Sequence, residues 1–375
     1  MKRAVSCLAS LGSAALVACS SGSPGPAPAE PPRIDQPKRV RVLWSVNVGS
    51  ADRFTFLPEL AGGSVYAAAR NGSVTRLDAK TGEVRWRSDS EVRLSGGVGA
   101  DDKTVAVASE EGEVVALDTD KGAVRWRARV SSEVLGPPAV AAGLVLVRTI
   151  DNRVFALGAE DGKRRWVYQR APSSLLVRAP AGLAVGEGLV VAGFPGGKLV
   201  ALALENGALR WEATVAVPKG STELERVSDV IGRPAMEGRE VCAAAYRSRI
   251  ACYEAASGRQ LWSRELGALS PVTLDARYAF VADERGAVHA FDRTNGQSVW
   301  KQDKLAYRQL SAPLSAGDAV AVGDFEGQVH FLSRETGNFV ARRSTGGGAV
   351  RAAPLRLGDG FLMQTEDGSV IALAL

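Results

Sequence analysis

From about residue 40 onward the chain is written in alternating apolar and polar positions. SVTRL (73–77) and EVVAL (113–117) alternate at period two, which predicts strands with one face buried. A glycine dipeptide precedes such strands, NG at 71–72, EG at 111–112 and 326–327, and DG at 367–368, and each is a hairpin signal. Upstream of each hairpin runs an apolar stretch: SVYAAA, TVAVAS, LVLVRT, LVVAGF, EVCAAA, YAFVAD, AVAVGD and GFLMQT. Downstream, TG, KG, DG, NG or SG marks a second turn into a strand that ends in tryptophan, and a short fourth strand is expected around PAV, APL and AAPL. No segment holds a helical period. Each unit therefore predicts a four-stranded antiparallel meander of roughly 40–45 residues, the size of one propeller blade.

The units recur in register. The seven tryptophans are Trp44, Trp86, Trp126, Trp166, Trp211, Trp262 and Trp300, with spacings of 42, 40, 40, 45, 51 and 38. None lies outside the repeat, so the ladder reads as blade-to-blade packing rather than ligand stacking. GSVTRLDAKTGEVRW (72–86) returns as GEVVALDTDKGAVRW (112–126), and again up to GQVHFLSRETGNFVA (327–341), where Ala341 takes the tryptophan slot. The last copy, GSVIALAL (368–375), stops before its final strand, while RVLWSVNV (41–48) is a tryptophan strand with no phrase before it. Pairing the two completes an eighth blade and removes the open edges of an unclosed array. The expected fold is all-β: an eight-bladed β-propeller of four-stranded antiparallel blades, its ring closed by the N-terminal strand.

The N-terminal segment adds a location. Lys2 and Arg3 precede a short apolar run over residues 4–18, a secretory signal too short to span a membrane. It ends Leu16-Val17-Ala18-Cys19, which looks like a bacterial lipobox with Cys19 as the lipidated residue; several acyl chains make a stable anchor where one is marginal. Ser20 and Ser21 follow, and the absence of aspartate there points to outer-membrane sorting. Residues 19–37, rich in Pro, Ser and Ala, read as a disordered or polyproline-like tether. The organisation is thus a signal peptide at 1–18, a lipidated tether at 19–37 and one propeller at 38–375.

Candidate chemistry is sparse. Of four cysteines, Cys7 leaves with the signal and Cys19 carries lipid. Cys242 and Cys252 flank one predicted hairpin and are placed for a disulfide in an oxidising compartment, free thiols being the alternative; no metal site is expected from two thiols without histidine. The formal charge of +5 comes without aromatic–basic alternation or a nucleic-acid motif, so no nucleic-acid partner is expected. His289 and His330 occupy the same slot of adjacent copies and read as repeat positions, and the LD and FD aspartates as turn residues. No catalytic set, phosphate loop or cofactor is indicated.

The informative feature is where the repeat stretches. The spacings of 45 and 51 place extra length in APSSLLVRAPAG (171–182) and VPKGSTELERVSDVIGRP (217–234), two connections on one face of neighbouring blades. Long loops on a rigid scaffold are where binding residues gather. The first carries Leu175, Leu176, Val177 and Arg178; the second carries Glu223, Glu225, Arg226 and Asp229. An apolar stripe beside arginine with a charged rim fits a protein-contact patch, the alternative being loops that fold back on their own blades.

With these residues in view, the chain resembles the BamB family, lipoproteins of the outer-membrane β-barrel assembly machinery. The resemblance runs the whole length: the lipobox at Leu16–Cys19, the LD-x-x-TG-x-x-x-W phrases, GRQLWSRELG (258–267), ETGNFVARR (335–343) and, most specifically, GSTELERVSDV (220–230). It implies a non-enzymatic scaffold at the periplasmic face of the outer membrane that binds the POTRA domains of BamA and assists insertion of nascent β-barrel proteins. It also implies that Leu175, Val177 and Arg178 stand in an L-x-L-R contact motif, with Val177 for the second leucine. Asp229 is the first acid of S-D-V-D, and Ile231 replaces the second. The competing class is a quinoprotein dehydrogenase using pyrroloquinoline quinone and calcium, but the chain lacks an adjacent cysteine pair and is short for such a domain. A WD40-type intracellular scaffold lacks support, since no WD dipeptide occurs.

Overall fold

The structure, a computed structural model, describes residues 26–171, 175, 177–223 and 225–375. The signal segment and Cys19 lie outside the described residues, as does Leu176. The described chain forms eight four-stranded antiparallel sheets. Blades one to seven span 59–89, 99–129, 139–169, 183–214, 230–265, 273–302 and 314–344; blade eight is 355–374 plus the strand Arg41–Asn47. That N-terminal strand pairs with Ser369–Ala374 as the outermost strand of the last sheet, which closes the ring as the repeat pattern requires.

Within each blade the first strand is innermost, short in all but blade five, and from blade one to blade eight it lies against its counterpart in the next blade. The two middle strands are buried on both faces, as in Thr104–Ala108 and Glu113–Asp118. This differs from the half-buried strands that the alternation in SVTRL and EVVAL suggests. The cause is stacking: each blade is sandwiched between two others, so both sides of its sheet are covered. Apolar clusters accordingly sit between blades, as where Val191 and Trp211 of blade four meet Val241 and Tyr253 of blade five.

The repeated phrase has a mechanical purpose. The outer strand carries a one-residue bulge beside its tryptophan, as between the pairs Trp86–Arg76 and Val84–Leu77. The indole then reaches the glycine turn of the following blade. Trp300 donates from Nε1 to the carbonyl of Arg334 at 2.8 Å. Its ring lies so close to Gly337 that a Cβ there would sit 2.6 Å from it, and Gly337 also has φ +71°. The contact recurs from Trp44 onto Gly82 and Ala79 through every tryptophan of the chain. Blade eight has no such turn, because its outer strand arrives from the other end of the chain. On blade seven, which faces it, Ala341 takes the tryptophan slot, fully buried, with Val40 and Leu375 packed against the same cluster.

The two faces of the ring are distinct. Hairpins between the middle strands share one face with the blade-to-blade connections, as the Ser90 amide donating to Gly72 O shows. The glycine turns share the other face with the inner hairpins, as the Ala79 amide donating to Gly63 O shows. These are called here the connecting face and the turn face. Residues 26–37, expected as a loose tether, differ from that expectation: Ala29 and Pro32 are hydrogen-bonded to blade seven and the connection leading into it.

Candidate partner-binding site

Two connections on the connecting face are long, 170–182 between blades three and four and 215–229 between blades four and five. The second is shorter than the 217–234 expected, because Val230–Glu237 is already a strand, bulged between Ile231 and Ala235. Ile231 points into the core between blades five and six, where an aspartate would be buried among Trp262 and Val281.

Asp229 joins the two connections. Its Oδ2 accepts the Val177 amide at 2.7 Å and its Oδ1 accepts the Gly196 amide at 3.2 Å. Only 6% of the residue is exposed, so it is not the rim acid that the sequence suggests. Charge-assisted bonds of this kind fix a loop backbone firmly. Leu175 is exposed, Val177 is half-buried, and Val217 on the second connection is 63% exposed.

Arg178 turns away from the second connection. Nε and Nη2 grip the carboxylate of Glu133 at 3.1 and 2.7 Å, a forked pair with the blade-two-to-three connection that raises the arginine pKa. Glu225 and Arg226 are spent inside their own loop. Glu225 accepts the amides of Ser221 and Thr222, which holds its carboxyl below the usual range, and Arg226 donates from Nε to Gly220 O. They shape their own connection rather than meet the first one.

Behind Val177 lies a shallow depression lined by Arg148, Val177, Pro195, Asp229, Val230 and Ile231. The Arg148 guanidinium stacks 5.1 Å from the Phe194 ring centre, and burial pushes its pKa down to about 10, with the charge of Asp229 opposing the shift. Glu133 and Arg148 were not singled out from sequence. Glu133 sits in a connection of ordinary length and leaves no signal; Arg148 is a lone cation inside the apolar run LVLVRT, which is one.

The remaining candidates are structural. His330 and His289 face Asp324 and Asp283 at 2.8 and 2.9 Å, each aspartate also capping the hairpin before its histidine strand. Asp78 and Asp118 accept the amides of their own turns. Cys242 and Cys252 are register partners with Cα atoms 4.0 Å apart, and their sulfurs are joined. Among the described residues no group of three His, Cys, Asp or Glu is placed to hold a metal ion.

A closed ring of eight four-stranded blades, with its two longest connections tied together on one face, places the chain in the class of eight-bladed β-propellers. The profile of the family described as "Outer membrane protein assembly factor BamB" matches residues 70–302. Relatives of that description are 44% identical over 300 residues in Bordetella pertussis, covering 80% of this chain and 78% of that one, and 46% identical over 318 residues in Pseudomonas aeruginosa, covering 83% of each. The crystal structure of BamB from Moraxella catarrhalis superposes with a TM-score of 0.80 at 28% identity, covering 90% of this chain and 100% of that chain. A quinohemoprotein alcohol dehydrogenase from Comamonas testosteroni superposes at 0.68 with 13% identity, covering 89% of this chain and 76% of that one, and so shares the fold alone. The chain belongs to the BamB family, a family of assembly factors rather than enzymes.

Proposed function

We propose that this protein is a non-enzymatic scaffold of the outer-membrane β-barrel assembly complex, anchored through lipid on Cys19 to the periplasmic face of the outer membrane. It docks through Leu175–Arg178 onto the POTRA domains of BamA and so assists folding and insertion of outer-membrane proteins. The observation that carries the docking site is the Val177–Asp229 clamp: a buried carboxylate spends its hydrogen bonds holding a loop whose outer side presents Leu175 and Arg178 to solvent. A preorganised loop loses less conformational entropy on binding. In this reading Arg178 exchanges Glu133 for a partner carboxylate, and Asp229 positions the loop without touching the partner.

The test is calorimetric titration of the mature, unlipidated chain with the POTRA segment of the same organism's BamA. Binding at about 1 µM or tighter, weakened at least about tenfold by Arg178→Glu, supports the reading. Absence of binding by well-folded protein would sink it. Mass analysis of the N-terminal peptide decides the lipid on Cys19 separately.

A further inference from the structure

Blade seven carries a side-chain cluster that the repeat does not need and the docking loops do not use. Arg308 lies in the connection from blade six to blade seven, its side chain 3% exposed. The residues on both sides, Tyr307 and Gln309, have φ of +59° and +50°, a left-handed backbone that non-glycine residues adopt at a cost. Arg308 Nε donates to Asp324 at 2.7 Å and Nη2 pairs with Glu326. The third arm of the fork, Nη1, donates to the carbonyl of Ala29 at 3.1 Å. Below it, Asp324 holds Nε2 of His330, and Nδ1 of His330 accepts from Arg342 Nε at 3.2 Å. Arg342 then donates from Nη2 to the carbonyl of Pro32 at 2.7 Å. Two backbone bonds complete the seam: the Ala29 amide to Ala306 O at 2.9 Å, and the Lys38 amide to Val340 O at 2.8 Å.

We propose that residues 29–38 are a fixed strap across the outer edge of blade seven, held by Arg308 and Arg342, which makes the preceding chain leave the ring on its connecting face. The direction follows from topology. Arg41–Asn47 runs antiparallel to Ser369–Ala374, so it starts at the turn face. The strap reaches that start from Ala29, which is bonded to the six-to-seven connection on the opposite, connecting face. The long connections that bear Leu175 and Val217 share that face. Ala29 is only ten positions beyond Cys19, a reach of at most about 35 Å. Resting on the reading of Cys19 as lipidated, the strap turns the docking loops toward the bilayer instead of leaving the ring free to tumble. It also covers part of the blade-seven edge strand, Phe339–Ser344, against strand addition.

The experiment has two arms on the mature full-length chain. In hydrogen exchange, the Ala29 and Lys38 amides are expected to exchange at least about tenfold slower than the Ala27 amide, and Arg342→Ala is expected to erase the difference at Ala29. Arg308→Ala is a second variant, scored only if its thermal unfolding stays cooperative. Exchange of Ala29 at the rate of Ala27 in the unaltered protein would overturn the strap, whatever the fate of the docking reading. In the second arm, Val217→Cys on the connecting face and Asn206→Cys on the turn face are labelled with a fluorophore, on vesicles containing headgroup-quencher lipid. Quenching at least about twofold greater at 217, narrowed by Arg342→Ala, is expected; equal quenching at both would refute the orientation. If mass analysis shows Cys19 unlipidated, the orientation fails with that reading and the exchange arm still decides the strap.

Discussion

The Val177 amide donates to Oδ2 of Asp229 across 2.7 Å and 52 positions of sequence. The bond spans two blade-to-blade connections, so one carboxylate ties together the two places where the repeat is interrupted. Its effect is to give an exposed loop the fixity of a strand end, and thereby to convert extra length, ordinarily mobile, into a defined surface.

Removing the clamp should therefore hurt stability and binding together, whereas changing the surface should hurt binding alone. Asp229→Ala strands two amides and removes the charge that favours the protonated form of Arg148, and is expected to cost about 2–3 kcal/mol in urea unfolding. Arg178→Glu breaks an exposed pair and is expected to cost under about 1 kcal/mol. Both should weaken POTRA binding in calorimetry. Full binding by Asp229→Ala would show that the loop needs no positioning.

The tryptophan ladder makes a sharper stability prediction, because the ring has seven sockets and one exception. Trp300→Ala removes a buried indole and orphans the Arg334 carbonyl, for an expected loss of about 3–5 kcal/mol. Gly337→Ala should be comparably disruptive, since Cβ meets the ring at 2.6 Å with φ at +71°. Ala341→Trp, which restores the consensus of the repeat, should nonetheless destabilise by about 1–3 kcal/mol, because blade eight offers no glycine turn to receive it. A stabilising Ala341→Trp in thermal unfolding would contradict this account of ring closure.

The ladder was legible in sequence because both halves of the contact, the tryptophan and the turn glycine, are written in every copy at fixed spacing. Ring closure was legible for the same reason: a strand without a phrase and a phrase without a strand. The interrupted spacings located the long connections to within a few residues. What sequence could not convey is the destination of a polar group. Asp229 reads like any loop acid, and only the fold brings it to an amide 52 residues away. Glu133 has no spacing anomaly to betray its pairing with Arg178. Residues 26–37 lack apolar periodicity and so read as part of a tether, yet their contacts use backbone carbonyls and amides, which carry no residue signature.

The Cys242–Cys252 bridge closes a loop of ten residues inside a hairpin already fixed by its ladder. Chain entropy for so short a loop gives an expected contribution of about 2–3 kcal/mol. Alkylation followed by mass analysis should show both thiols blocked before reduction and free after it. The Cys242→Ala/Cys252→Ala pair should lower the unfolding midpoint by a corresponding amount without altering POTRA binding, since the bridge lies in the middle strands of blade five. Free thiols in protein purified without reductant would remove the bridge from the account.

The last prediction concerns pH, through His330. Burial holds its pKa below the usual value of ~6.5; Asp324 opposes that shift, and the Arg342 and Arg308 charges reinforce it. The neutral ring fits its bonds, donating from Nε2 to Asp324 and accepting from Arg342 at Nδ1. In the unfolded chain the same histidine takes up a proton near ~6.5. As pH falls below that value, the unfolded state binds more protons than the folded one, and stability drops until the folded pKa is reached. The contribution is fully present above ~6.5, and the slope below it is at most about 1.4 kcal/mol per pH unit. Burial raises the pKa of Asp324, but His330, its hairpin amide and Arg308 outweigh that and hold it below the usual value, so it loses its contribution only below about pH 4 and the two windows separate. His330→Gln keeps a donor and an acceptor without the titration. Its urea-unfolding free energy should be flatter than that of the unaltered protein between about pH 5 and 6.5. Parallel curves through that window would show that His330 does not set the acid sensitivity of blade seven.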